Sequence, residues 1–278
     1  MNTVAPPRHV RTGRDGTLRL HFERRGARTV LARSAYTLPL QVLTPVALDA
    51  DAAVVSVLNP TGGLVGGDRL DIDVFATAGA HAVLTTPSAT KVYRSAVEMA
   101  EQRVRLTIGP RALVEWVPDH TIPFAGAAFR QTIDVELAPD GALVLVDAFA
   151  AGRVARGETW RFGHLESSIA VHDARGPILH DRFVLTGPAA WDGVGLAESR
   201  PYFGAVVVVA DVDLAALARD LDALAVDGFV AAAARMARRG LLLRCLASDA
   251  PALLAGIDSA WACARRSLGL PRLALRKP

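Results

Sequence analysis

Short hydrophobic runs, many of them alternating with polar residues at a period of two, occupy most of the chain from residue 17 to residue 210. Glycine, proline, aspartate and asparagine separate them. This pattern predicts strands with one buried face, and such regular turns are typical of sandwiches, barrels and β-solenoids. No intervening stretch has the length and period of a helix, so a parallel α/β sheet is disfavoured. The runs lie at 18–23, 53–58, 70–75, 82–86, 104–108, 113–117, 132–137, 143–149, 165–171, 178–185 and 205–210.

The pattern becomes helical after Asp211. "DVDLAALARDLDAL" places leucines at 214, 217, 221 and 224 behind capping aspartates. "SDAPALLAGIDSAWACARRSLG" predicts a second helix, capped by Ser248 or Asp249, with Pro251 in its first turn and Gly269 at its end. The intervening 229–248 is ambiguous, because its alanines favour a helix while 241–246 resembles a strand.

Composition agrees with one globular domain over residues 1–278. Half of the residues are hydrophobic and 6% are aromatic, so valine, leucine and alanine must build the core. The net charge of +3 is too small to favour a nucleic acid partner. We find neither an apolar leader nor a membrane-spanning run, which predicts a cytoplasmic protein without a membrane partner. Cys245 and Cys263 show no metal-site spacing.

A glycine-rich turn, "NPTGGLVGGDRL", has the glycine spacing of a phosphate-binding loop but lacks the other residues of that motif. Gly62 and Gly67 have P-loop spacing, but Asp68 and Arg69 replace the lysine and the hydroxyl residue. The four glycines at 62, 63, 66 and 67 do not fit a Rossmann loop either. The alternative is a tight reversal between strands, in which Asp68 is presented to a site or only caps the turn.

Two further polar turns carry candidate chemistry. "LTTPSATKVYRS" holds Lys91, and "AGRVARGETW" holds Arg153 and Glu158. In "HDARGPILHD", a turn at 173–176 would pair His172 with Pro177 and His180 with Ile169. The two histidines would then lie on opposite faces, which argues against a metal site. Asp119 and His120 are only two candidate ligands, which is too few to form a metal site. Without a catalytic triad or a nucleophile elbow, the evidence for an enzyme is poor.

Several segments in order resemble the urease accessory protein UreD family, also called UreH. They are "NPTGGLVGGDRL", "TTPSATKVYRS", "LVEWVPDHTIPFAGA", "AGRVARGE", "LLLRCLASD" and "AWACARRSLGLPR". Two positions depart from the family pattern. Asp119 and His120 stand where a pair such as Gln-Glu is common, and Leu273 stands where a tryptophan often follows the terminal Pro-Arg.

The resemblance implies a mainly β fold, an irregular β-helix-like stack of strands with two α-helices near the C-terminus. It also implies that the Ala-rich segment is a strand. Family members are non-enzymatic scaffold chaperones that bind apo-urease and recruit UreF and the GTPase UreG, so that nickel enters the urease active site. The implied assembly is a dimer of heterocomplexes. The resemblance implies that the protein has no cofactor of its own and that nickel is only in transit. Proposals for the family route the nickel through an internal tunnel in this protein.

A nickel conduit requires weak, scattered contacts, since a tight site would retain the ion. We therefore expect Asp68, Lys91, Arg153 and Glu158 to form part of the path or its scaffold, or else a salt-bridge network that only stabilises the fold. The sequence leaves two alternatives open. One is a β-solenoid hydrolase or lyase acting on a polysaccharide with Asp68, Asp119 and Lys91. The other is a purely structural interaction module.

The second helix is our candidate for the UreF contact, because hydrophobic residues form a stripe along one of its faces. A helix packed on its own core would show the same hydrophobic stripe. The candidate residues are Leu253, Leu254, Ile257, Trp261 and Leu268.

Overall fold

Alternating strands build two facing sheets in this computed structural model, which describes residues 13–46, 51–95, 98–187, 189 and 191–275. Within these residues there are seventeen strands and two α-helices. The strands are β1 (Asp15–Arg25), β2 (Arg28–Tyr36), β3 (Gln41–Val42), β4 (Ala53–Leu58), β5 (Arg69–Ala76), β6 (His81–Thr85), β7 (Thr90–Val92), β8 (Ala100–Ile108), β9 (Leu113–Trp116), β10 (Thr121–Pro123), β11 (Ala128–Leu137), β12 (Ala142–Ala150), β13 (His164–Asp173), β14 (Gly176–Thr186), β15 (Tyr202–Val209), β16 (Phe229–Arg235) and β17 (Gly240–Ala247). The helices are α1 (Leu214–Asp222) and α2 (Ala250–Ser267).

The first sheet has seven strands in the order β14-β13-β11-β8-β5-β1-β2. Its five inner strands, β13 to β1 in that order, are mutually parallel, and antiparallel β14 and β2 form its edges. The second sheet has ten strands. Its main path is β16-β17-β15-β12-β9-β6-β4-β3, and the short strands β7 and β10 join it beside β12.

The chain crosses between the sheets at almost every step from β4 to β13. Each time it returns to a sheet, the new strand lies parallel to the preceding long strand of that sheet, as β8, β11 and β13 do in the seven-stranded sheet and β6, β9 and β12 do in the ten-stranded sheet. Each pair of crossings adds one rung to a stack. The predicted mainly β, β-helix-like fold with two helices near the C-terminus is confirmed.

Two hydrophobic cores result, one on each face of the ten-stranded sheet. The first lies between the sheets and includes Leu20, Val104 and Leu145. The second lies under the helices, where Val206 of the sheet and Leu217 of α1 are buried. Strand β12 contributes to both, which explains its almost unbroken hydrophobic sequence.

The helices begin as the sequence predicts. Asp213 accepts hydrogen bonds from two backbone amides of α1, and Asp249, rather than Ser248, caps α2 through the amide of Ala252 at 2.8 Å. The Ala-rich segment is strand β16, as the resemblance implied. Pairing with β17 and packing against α1 outweigh its local helix propensity.

The histidine register was predicted wrongly in one respect. His172 does pair with Pro177, but His180 pairs with Ala170 rather than with Ile169. A bulge between Val171 and His172 shifts the register by one residue. Both histidines are exposed on the same outer face of β13 and β14, so the prediction that they lie on opposite faces was wrong.

Helix α2 is fastened to the ten-stranded sheet by a buried ion pair. Glu115 of β9 and Arg265 of α2 are both fully buried and hydrogen-bonded to each other. The Glu115 carboxylate also accepts a hydrogen bond from the indole of Trp261, and its Oε1 lies 2.6 Å from Nε2 of His81. Arg265 donates to the carbonyl of Pro271 at 2.7 Å, so one charge pair joins the sheet, the helix and the segment after it.

Candidate functional site

Four long connections stack on one edge of the fold, and all of them run from the ten-stranded sheet to the seven-stranded sheet. We call this the motif edge; its described residues are 59–68, 86–95, 98–99, 117–127 and 151–163. The amide of Leu64 donates to the carbonyl of Lys91, and the amide of Gly126 donates to that of Arg161, each at 2.8 Å. Four of the segments that carry the family resemblance therefore overlap this edge. The three returns on the opposite edge, 77–80, 109–112 and 138–141, are tight turns.

The glycine-rich turn is the first layer of the motif edge. Gly62, Gly63 and Gly67 have positive φ, which glycine adopts without strain. Gly66 has no room for a side chain, because a Cβ there would lie 2.2 Å from Oγ of Ser95. The turn is thus the predicted tight reversal between β4 and β5.

Asp68 caps this reversal. Its side chain is buried, and its two oxygens accept hydrogen bonds at 2.8 Å from the backbone amides of Arg14 and Val65. Asp68 therefore holds the turn in shape, which fits the scaffold version of its predicted role.

Arg153 and Glu158 form a two-point ion pair within the last layer of the edge. Nε of Arg153 lies 2.8 Å from Oε2 of Glu158, and the guanidinium also covers the ring of Phe124 at 4.3 Å. The hydrogen bond from Arg153 lowers the pKa of Glu158. Glu158 also accepts from the amide of Ala125 at 3.3 Å, so the pair joins two layers.

Gly152 tests how tightly this last layer is built. It has a φ of 134°, and a Cβ there would lie 2.3 Å from the carbonyl oxygen of Glu158. Gly152→Ala should lower the free energy of unfolding by about 2–3 kcal/mol, measured by urea denaturation. Gly157→Ala in the same turn is the matched control, because Gly157 also has positive φ (69°) with nothing within 4 Å. The control should cost only about 1 kcal/mol. Equal losses would contradict the steric argument.

A polar cavity of about 150 Å³ lies inside the first three layers of the motif edge. Lys91 lines it, and so do Asp119 and Thr86, which are joined by a 2.8 Å hydrogen bond from the Asp119 amide to the Thr86 hydroxyl. Lys91 is an exposed residue. Asp68 is not among the lining residues. The four predicted path residues are thus placed at three sites along the edge: the Asp68 cap, the Lys91 cavity wall and the Arg153–Glu158 pair.

A ladder of polar side chains leads inward from this cavity. Gln102, Gln131 and Ser167 occupy paired positions on β8, β11 and β13, and all three point between the sheets. Nε2 of Gln102 donates to Oε1 of Gln131 at 2.9 Å. Across the interior, Asp147 of β12 accepts from Gln131 at 2.8 Å and from Ser167 at 2.7 Å. The first core is therefore interrupted by one continuous polar track.

Asp147 is the charged end of that track. Burial raises its pKa from the ordinary 3.8 to about 6, even though the hydrogen bonds from Ser167 and Gln131 favour the ionised form. The carboxyl group therefore changes charge close to physiological pH.

A second and larger cavity of about 560 Å³ begins on the other side of Asp147. It lies between β14 of one sheet and β15, β17 and β16 of the other, and aromatic rings dominate its wall. Phe203 is stacked with Phe149 at 5.5 Å and with Trp160 at 5.9 Å between ring centres. Cys245 also lines this cavity, and burial raises the pKa of its thiol to about 12, so the thiol keeps its proton at neutral pH.

The sequence did contain a signal for Asp147. It is the single charged residue in the otherwise apolar run "ALVLVDAFA" of β12. Lys, Arg, Asp and Glu are almost never fully buried unless they are paired, so an acid at such a position indicates a polar interior. Gln131 gave a weaker signal, as a polar residue at an inward position of an alternating strand.

No group of three or more histidine, cysteine, aspartate or glutamate side chains that could hold a metal ion occurs in the described part of the chain. The acids proposed for a hydrolase are not gathered in one cleft either. Asp119 lines the polar cavity, where Oδ1 lies 2.8 Å from Nδ1 of His120, whereas both oxygens of Asp68 are taken by backbone amides. The hydrolase alternative thus lacks its pair of carboxylates.

Comparison with known proteins assigns this chain to a family. The family model described as UreD urease accessory protein matches residues 14–277. This chain belongs to the UreD family. The expected resemblance is confirmed, and the four stacked connections overlap four of the six segments that carry it.

Individual relatives within the UreD family support the assignment. A urease accessory protein UreD of Alkalilimnicola ehrlichii is 35% identical over 270 residues, covering 94% of this chain and 90% of the relative. The UreD of Klebsiella pneumoniae is 34% identical over 247 residues, covering 89% and 87%. With the UreD of Cupriavidus necator the identity is 44% over 149 residues, and there the chain spans about half the length of the relative, 52%.

The helix proposed to contact UreF lies against the rest of this UreD-family chain. Leu253 and Trp261 are buried in the second core, while Ile257 and Leu268 are partly buried against it. Leu254 is 40% exposed. In this conformation Leu254 is therefore the one candidate of the five with a largely free side chain, and a UreF contact through this helix stays a prediction. No helix in the described residues is long and apolar enough to cross a membrane.

Proposed function

We propose that this chain is a non-catalytic chaperone of urease maturation that binds apo-urease and, with UreF and the GTPase UreG, enables nickel to enter the urease active site. Family membership supports the link to urease maturation. The single observation that carries the nickel role is Asp147, because it lines the polar cavity on one side and the aromatic cavity on the other.

Nickel in this proposal is cargo that passes through the interior. Ni²⁺ accepts carboxylate, imidazole and water ligands, so polar side chains along a hydrated track can replace part of its water shell. Gln102, Gln131 and Ser167 offer neutral oxygens, and Asp147 adds one negative charge. A cation beside Asp147 would favour its ionised form and so offset the effect of burial.

The same arrangement suits release of the ion. One carboxylate with three neutral neighbours is too sparse to retain a divalent cation, whereas a cluster of several charged ligands would hold it. The absence of such a cluster from the described residues is consistent with a path rather than a store. In this proposal Asp68, Lys91, Arg153 and Glu158 form part of the path or its scaffold, and the position of Lys91 at the wall of the polar cavity supports that role for Lys91.

Asp147→Asn is the test, because asparagine keeps the size of the side chain and removes its charge. We expect the rate of nickel-dependent urease activation to fall by about ten-fold or more, by analogy with the loss of groups that surround metal ligands. The measurement uses apo-urease, UreF, UreG, GTP and NiCl₂, and follows urease activity and the nickel bound per urease.

Asp134→Asn is the matched control, since Asp134 lies on β11 between the inward residues Ile133 and Val135 and faces away from the interior. Assembly with the partners should survive in both variants. Unchanged activation with Asp147→Asn would favour the remaining alternative, a structural module with no part in metal transfer.

A further inference from the structure

The two sheets differ in extent at the end of the stack that holds β14. Asp181 of β14 forms an ion pair with Arg244 of β17, so these two strands lie opposite each other. In the ten-stranded sheet the path continues by one strand beyond β17, to β16. In the seven-stranded sheet no described strand follows β14. One strand position opposite β16 is therefore unfilled, and we call it the open strand position.

The face of β16 that points to the open strand position is apolar and uncovered. Side chains of β16 alternate between its two faces, and Ala231 and Ala233 pack against the second core. Val230, Ala232 and Ala234 point the other way and are exposed, Val230 by 43%. Val230 and Ala232 also line the aromatic cavity, so this cavity extends to the open strand position.

The edge of β14 presents unbonded backbone groups to the same position. The amide of Gly187 donates to the carbonyl of Gly163 at 3.1 Å, in register with the antiparallel pairing of β14 and β13. The hydrogen-bonded pairs therefore fall on odd-numbered residues of β14, and the backbone groups of His180, Arg182 and Val184 point away from β13. No residue that the structure describes forms a hydrogen bond with these outward groups.

The edge of β14 is closed only at its two ends. The indole of Trp191 donates to the carbonyl of Thr186 at 3.3 Å. At the other end Arg238 donates to the carbonyls of Gly176 and Pro177 at 2.7 and 3.0 Å. The stretch 179–185 between these contacts is long enough to pair with one ordinary strand.

Other edge strands of the two sheets are protected against strand addition. Asp222 accepts a hydrogen bond from the amide of Ala233 at 2.8 Å, and α1 packs against β16. On β2, the amide of Thr29 donates to the carbonyl of Asp51 at 2.9 Å, and a bulge interrupts the pairing of β2 with β1. Bulges and covered edges are common ways in which proteins prevent unwanted strand pairing. The stretch 179–185 has neither device among the described residues.

We infer that the open strand position receives an extended segment of a partner protein, which adds a strand to β14 and covers the exposed face of β16. Backbone hydrogen bonds to β14 would provide affinity, and alternate side chains of the segment would contact Val230 and Ala232. A second copy of this chain does not fit. Pairing β14 with β14 of a copy would bring the copy's β17, which lies opposite its own β14, onto the place that β16 occupies.

Charge complementarity favours acidic residues at the outward positions of the added segment. Arg182, on the outer face of β14, is 52% exposed, whereas its partner Glu166 is 10% exposed. Glu166 also accepts hydrogen bonds from Arg130 and His164, so several donors share this carboxylate. A guanidinium group has five N–H donors and can bind a further carboxylate at its exposed end. The segment is therefore one in which apolar and acidic residues alternate.

The test uses a fluorescein-labelled peptide of about nine residues in which glutamate and valine alternate. Its binding to the full chain is measured by fluorescence anisotropy, and a peptide of alternating lysine and valine is the charge control. Val184→Pro removes one outward amide and leaves the hydrogen-bonded pairs with β13 intact. Val184→Ala is the matched control, because it keeps that amide. Hydrogen-exchange mass spectrometry of residues 179–185 locates the bound peptide, and thermal melting checks that each variant folds.

Wild type should bind the glutamate peptide about ten-fold more tightly than the lysine peptide, and amide exchange should slow within 179–185. Val184→Pro should weaken binding about ten-fold, while Val184→Ala stays within about two-fold of wild type. If Val184→Pro does not fold, Val230→Gln replaces it, because a polar side chain on the covered face should weaken binding in the same way.

Three results would overturn the inference: no binding of the glutamate peptide to wild type, equal binding by the two Val184 variants, or protection confined to other strands. Dimerisation of the chain that Val184→Pro abolishes, without binding of the peptide, would assign the edge of β14 to a second copy instead. Urease is absent from all of these measurements, so their failure would leave the proposed function standing.

Discussion

Replacing Glu115 by alanine should lower the free energy of unfolding by about 3–5 kcal/mol, the largest stability loss that we expect from a single substitution in this chain. Arg265 is fully buried, so removal of Glu115 takes away the carboxylate that its guanidinium contacts inside the protein. The indole of Trp261 loses its acceptor as well. Urea denaturation at pH 7, followed by tryptophan fluorescence, measures the loss.

Two further variants separate the buried charge from an ordinary ion pair. Glu23→Ala removes one partner of an exposed pair with Arg25 and should cost less than about 1 kcal/mol. Adding Arg265→Met to Glu115→Ala should recover part of the lost stability, because the double variant removes both buried charges of the pair. A loss below about 1 kcal/mol for Glu115→Ala would show that the charge of Arg265 finds water or another partner.

Replacing Asp147 by asparagine should stabilise the fold, and by an amount that depends on pH. The pKa of Asp147 is raised from 3.8 to about 6, so between these values the folded chain keeps a proton that the unfolded chain releases. Wild-type stability therefore loses this contribution as the pH rises through that window, and the asparagine variant does not. The difference should be near zero at pH 4 and should reach about 3 kcal/mol at pH 7.

Parallel urea denaturation of wild type and Asp147→Asn from pH 4 to pH 8 measures this difference. The comparison isolates Asp147, because other titrating groups are common to both chains. Asp134→Asn serves again as the control for the loss of one aspartate on the outer face. A flat difference for Asp147→Asn would mean that its carboxyl group is ionised in the folded state at pH 4. A stabilised variant that also fails to deliver nickel would separate the role of Asp147 in transfer from any role in folding.

The local sequence predicted the strands and both helices because hydrophobic periodicity and capping residues indicate these elements directly. Asp213 and Asp249 cap the helices as their positions suggested. Segment 229–235 shows the limit of that approach. Its alanines favour a helix. Pairing with β17 and packing against α1, which local propensity does not include, make it a strand.

The candidate site was predicted less well, because its residues meet through the stacking of strands and are far apart in the sequence. Gln102, Gln131 and Ser167 are each about thirty residues from the next, and they meet only when one rung lies in register on another. The polar turns, by contrast, stood out in the sequence. The structure shows that Asp68, Arg153 and Glu158 hold those turns in place, and that the polar track lies on the strands between them.

In-register stacking also restricts where the length of this chain can vary. Deletion of one residue inside β11 would turn Gln131 outward and bring Arg130 and Asp134 toward the interior, cutting the polar track and burying charge at once. Residues added to the long connections would leave the strand register intact. Changes in length within the strands would therefore disrupt the interior route, whereas the lengths of the connections do not set the register on which that route depends.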